Sequence, residues 1–173
     1  MTETPQNTQP LPLSTKMPSG YHMVMPWISV RGAAECIEYL KHAFGAEELA
    51  RVPIEDGTIG HAELRIGDSI VLMFDARETW PPTPALLRLY VDDAVAVQQR
   101  AVDAGGTAIT EVTDLGFGER VGRMRDPFGN IWWIQEHVED LTFEEMGQRA
   151  QEPRFIEAMR YAQATLDMEL SSR

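Results

Sequence analysis

Hydrophobic positions change period along this chain, and each change marks an element. Ile28-Ser29-Val30 alternates after Pro26 and predicts a short strand. Ala33, Cys36, Ile37, Leu40 and Phe44 then recur at helical spacing, and Gly45 follows as a stop. Leu87 to Val91 predicts another strand. Asp92-Asp93 offers N-cap chemistry, and Ala94, Val97, Ala101 and Ala104 form a second helical stripe closed by Gly105-Gly106. Each helix precedes a hairpin. The first runs from about Ile59 through Gly67-Asp68 to Phe74, where Gly-Asp suits a two-residue turn. The second runs from about Glu119 through Asp126-Pro127-Phe128-Gly129 to Gln135, with Pro and Gly at positions a turn favours.

The two segments are one pattern written twice. A shift of 61 positions carries Val30 to Val91, Ala33 to Ala94, Ala43 to Ala104, Gly45 to Gly106, Gly57 to Gly118 and Ile70 to Ile131. These identities fall at helix starts, helix stops and a strand, as an internal duplication requires. The division expected is a disordered, Pro-rich leader over 1–20, a βαβββ module over 21–80, a second over 85–138, and a helical tail over 141–173. In the tail, Thr142-x-x-Glu145 is a capping box and Pro153 suits a helix start. Phe155, Ala158, Met159, Ala162 and Leu166 give an amphipathic face, expected to pack on the same domain or on a partner subunit.

Composition narrows the functions. With 27 acidic and 15 basic residues the net charge is −12, which argues against a partner made of nucleic acid. It would mildly favour cationic ligands. Cys36 is the only cysteine, so no internal disulfide or Cys-rich metal site forms, and a reduced, cytoplasmic setting is the expectation. No segment has the roughly 18 apolar residues of a membrane span, and the non-basic tail does not suggest a membrane surface.

Paired βαβββ modules ending in Asp126-Pro127-Phe128-Gly129-Asn130-Ile131-Trp132-Trp133 resemble the vicinal oxygen chelate superfamily of glyoxalases, bleomycin-resistance proteins, extradiol dioxygenases and fosfomycin-resistance enzymes. Ile28 to Phe44, Gly60 to Asp68, and Tyr90 to Asp93 carry the likeness too, which covers about residues 22 to 138. It implies an α+β fold: two tandem modules whose curved sheets make a partly open half-barrel cavity, often completed in a homodimer. It also implies a divalent metal held by His or Glu on the first and last strand of each module. Those positions map to Met25, Leu72, Leu86 and Trp133, and none is a plausible ligand for a hard or borderline cation. Neither metal nor cofactor is therefore expected.

Strand alternation sorts the remaining residues. The expected cavity wall is Met25, Trp27, His61, Glu63, Leu72, Phe74, Leu86, Arg88, Tyr90, Met124 and Trp133. Glu63 should pair with Leu72 across the first hairpin. Such a wall, apolar and aromatic with few polar groups, suits a small-molecule pocket; alternatively, the side chains simply fill the barrel. His61 and Glu63 point the same way. They could form a catalytic acid/base dyad, two ligands of a shifted metal site, or a satisfied hydrogen-bonded pair. The leading functional expectation is a small-molecule-binding protein that sequesters an apolar or aromatic ligand, cationic ones included, in a metal-free cavity. The alternative is a glyoxalase- or dioxygenase-like enzyme using His61 and Glu63. A third reading gives the tail helices a role in binding a partner.

Overall fold

A computed structural model describes Pro12 and residues 14–172. The expected disordered leader falls largely outside them. The elements, in order, are β1 (Trp27–Val30), α1 (Ala33–Phe44), β2 (Glu47–Pro53), β3 (Ile59–Ile66), β4 (Ser69–Asp75), β5 (Leu86–Tyr90), α2 (Ala94–Asp103), β6 (Thr107–Asp114), β7 (Glu119–Arg125), β8 (Ile131–His137), α3 (Phe143–Arg149) and α4 (Pro153–Ser171). The fold is α+β, as expected. Two four-stranded sheets have the orders β1-β4-β3-β2 and β5-β8-β7-β6, the same topology twice.

The duplication extends to register. Trp27 lies beside Leu72 in the parallel pair β1–β4, and Arg88 lies beside Trp133 in β5–β8. The same shift of 61 relates both partners. It also relates two helix-capping carboxylates. Asp75 Oδ1 accepts from the amides of Gly32 and Ala33 at the start of α1, and Glu136 Oε2 accepts from Ala94 at the start of α2. Each anion, at the end of a module's last strand, satisfies amides that the helix cannot. Asp93 adds the expected N-cap bond to Ala96, and Gly45 ends α1 at φ 68°.

Both sheets turn one face toward a shared core. Ile28, Ala62, Leu64 and Met73 of the first sheet, Met124, Trp132 and Ile134 of the second, and the buried stripes of α1 and α2 form one cluster. Phe44 packs on Trp132 with ring centroids 4.8 Å apart, and Arg100 Nε of α2 donates to the Ala43 carbonyl of α1. Cys36 is fully buried in this cluster, and burial pushes its thiol far above the ordinary thiol range, so it is an inert apolar side chain.

The hairpins differ by one residue. Ile66 pairs with Ser69 around the expected two-residue turn, with Gly67 at φ 59°. In the second hairpin Arg125 pairs with Ile131, the equivalent of Arg65 with Ile70, so this turn holds one residue more. Buried Asp126 organises it. Its Oδ1 accepts from the amides of Phe128 and Asn130, and its Oδ2 from the Asn130 side chain and the Trp132 indole. The extra residue slips β7 by one position against its counterpart β3. A one-residue slip exchanges the faces of a strand. The structural mates of His61 and Glu63 are therefore Val121 and Arg123, not the Gly122 and Met124 that a constant shift gives. Met124 is corrected accordingly: it is fully buried among the core side chains and is not a wall residue.

Candidate functional site

The remaining wall residues form two separate sets, because both sheets use their other face for the common core. The first lies on the face of β1, β4 and β3 that points away from the core. Trp27 neighbours Leu72, and Leu72 pairs with Glu63 as expected. Trp27 packs against Phe74 at 5.3 Å and edge-on to His61 at 5.6 Å. Phe74 in turn meets Trp80 at 5.9 Å, and both line a cleft of about 740 Å³ with Ile54, Asp56 and Arg77. Leu72 is buried beside Trp27, which is 47% exposed. Met25 precedes β1, and its sulfur accepts from the His22 amide.

The polar group of this face is a three-residue network. Glu63 Oε1 lies 3.0 Å from His61 Nε2, and Glu63 Oε2 accepts the Tyr21 hydroxyl. The Tyr21 bond, then the His61 bond, hold the Glu63 carboxyl below its ordinary pKa. Tyr21 is correspondingly pushed up by its bond to that carboxylate. The sequence reading missed Tyr21. It lies outside any periodic element, six residues before β1, so no local pattern marks it.

The second set lies on the corresponding face of the other sheet: Leu86, Arg88 and Tyr90 on β5, Trp133 and Gln135 on β8, and Val121 and Arg123 on β7. Here α4 covers part of the face. Ala162, Ala158 and Met159 pack with Leu115, Phe117, Val121 and Trp133. Tyr161 Oη accepts from the Glu111 amide, and Thr165 bonds Thr110. Of the two placements expected for the tail face, the structure shows the one on the same chain. Only the β5 strip stays open, with Leu86 56% and Tyr90 60% exposed. Tyr90 Oη accepts from Gln135.

Two other imidazoles have local partners. His42 bonds the Glu38 carbonyl, and His137 lies between Glu119 and Asp140, which raise its pKa in that order. The metal implied by the resemblance does not fit. Its four positions carry a thioether, two alkyl chains and an indole. At the shifted position Glu63 turns its two oxygens to His61 and Tyr21. Among the described residues no three His, Cys, Asp or Glu side chains gather around a point that could hold an ion.

Two tandem βαβββ units back to back through their helices, each with a sheet face left for another purpose, define the class of protein. A sequence model described as Glyoxalase/Bleomycin resistance protein/Dioxygenase superfamily matches residues 20–134, and the chain belongs to this superfamily. It is 36% identical over 132 residues to an uncharacterized protein of Mycobacterium tuberculosis, covering 70% of this chain and 78% of that one. Among solved structures it is similar in fold to TioX from Micromonospora sp. ML1 (TM-score 0.56, 24% identity, 69% of this chain and 98% of that one). It is also similar to the fosfomycin resistance protein FosX from Listeria monocytogenes (TM-score 0.57, 14% identity, 75% of this chain and 99% of that one).

Proposed function

We propose that the chain is a small-molecule-binding protein that holds a planar, apolar ligand on the open face of its first module, without a metal. The observation that carries this reading is the Trp27–Phe74–His61 aromatic wall over Leu72, left open to solvent beside an internally satisfied Tyr21–Glu63–His61 network. Stacking on an indole contributes about 0.5–1.5 kcal/mol beyond area burial, and the polar network fixes orientation at one edge. In this reading a second copy of the chain closes the site. Exposed Trp27 is a large apolar side chain of the kind a homodimer covers.

The test is direct. Protein stripped with chelator should bind the neutral planar probe 2-naphthol with unchanged affinity. Trp27→Ala should weaken that binding about five- to tenfold, the loss of one stacking contact. Stoichiometric metal by elemental analysis, with chelator abolishing binding, would sink the metal-free reading. Sedimentation showing only monomer at about 100 μM, above the micromolar-to-picomolar range of standard-size interfaces, would remove the dimer.

The Glu63-oriented imidazole of His61 favours a second reading. An acid/base pair held beside an aromatic wall is suited to proton transfer on a bound substrate. In that case His61→Ala would abolish turnover while leaving 2-naphthol affinity nearly intact. Equal loss of both would return His61 to a binding role.

A further inference from the structure

The geometry points to an anion-binding subsite beside Trp133, built by Arg88 and Arg123, that takes a carboxylate or phosphate group. Arg88, Trp133 and Arg123 stand abreast on β5, β8 and β7, in register and on one face. The Arg123 guanidinium lies 4.7 Å from the Trp133 ring centre. Arg123 is only 8% exposed. Its Nη1 donates to the Ala162 carbonyl and to Thr110 Oγ1, but its buried Nε has no partner.

A buried guanidinium with an unused donor is costly unless an acceptor arrives. The chain has 27 acidic residues, yet among the described residues no carboxylate forms an ion pair with either arginine. Instead, burial and then the charge of Arg88 pull the Arg123 guanidinium below its ordinary pKa. An oxyanion between them would supply the missing acceptor and replace the repulsion with two charge-assisted contacts, and the planar guanidinium fork matches carboxylate and phosphate oxygens. The overall charge of −12 does not decide against this. Screening reduces distant charges beyond about 8 Å at physiological ionic strength, so the two guanidinium groups nearest a bound anion set its local preference. Arg88 is exposed at the β5 edge, so an anion can approach from that side while α4 stays docked. The subsite stands apart from the first-module face, and its failure would leave the reading above untouched.

The test titrates inorganic phosphate, benzoate and, as the cationic control, benzylammonium at fixed ionic strength. The Trp133 indole and Arg123 Nε–H resonances report binding. The expected result is a saturable shift of both resonances with phosphate or benzoate and none with benzylammonium. Arg88→Gln, a change at an exposed site that keeps the fold, should weaken the anion at least about fivefold, the loss of one charge-assisted contact. Comparing phosphate with benzoate tells which source the subsite prefers. No saturable shift with either anion, an equal response to benzylammonium, or an affinity unchanged by Arg88→Gln would overturn the proposal.

Discussion

The two modules share topology, the register of their parallel strand pair and the carboxylates that cap their helices, yet they use their outer sheet faces differently. The first presents Trp27, His61 and Phe74 around the buried side chain of Leu72, with the Tyr21 segment laid on the polar edge. The second, whose β7 is slipped by one residue, presents Val121 and Arg123 and covers them with α4. One added turn residue changes which side chains a strand shows, and the altered face can then accept a helix. A duplicated fold can thus keep one half as a scaffold surface and leave the other for a ligand.

The largest expected effect separates the two turns. Asp126→Ala should cost upwards of about 3 kcal/mol, because several buried donors lose one shared acceptor. Asp68→Ala, which gives up an exposed bond to Ser69, should cost less than about 0.5 kcal/mol. Urea unfolding of both variants checks this, and similar midpoints would erase the distinction. Next is the helix contact. Ala162 is 1% exposed, so Ala162→Asp should lose roughly 2–4 kcal/mol by placing a charge against Val121 and Leu115. A change within about 0.5 kcal/mol would mean that α4 does not stay on the second sheet in solution.

The smallest effect concerns pH at the first face. Tyr21 and His61 hold the Glu63 carboxyl below its unfolded value. The associated stability is present above the unfolded pKa of about 4.3 and is lost as pH falls through the lower folded value. Glu63→Gln should therefore flatten the dependence of Tm on pH below about 4.3. A profile that still falls as steeply as the wild type would remove the network from the account.

Much of this was legible from spacing. The helical stripes, Gly45, Gly67-Asp68, the Asp93 cap and the Glu63–Leu72 pairing follow from local periodicity and turn chemistry. The exchange of Met124 for Arg123 did not. Two turns that both read as tight differ by one residue, and alternation carries that slip along all of β7. Tyr21 and α4 were hidden for another reason. Their places depend on contacts distant in sequence: Tyr21 reaches Glu63, and Thr165 reaches Thr110. An amphipathic stripe says that a helix will dock, not where.

The measurement closest to the central claim is an amide and side-chain shift map of the protein titrated with 2-naphthol. The account predicts saturable shifts centred on Trp27, His61, Leu72 and Phe74, with Leu115, Val121 and Ala162 unmoved. Shifts centred on Val121 and α4, with Trp27 and His61 silent, would contradict it.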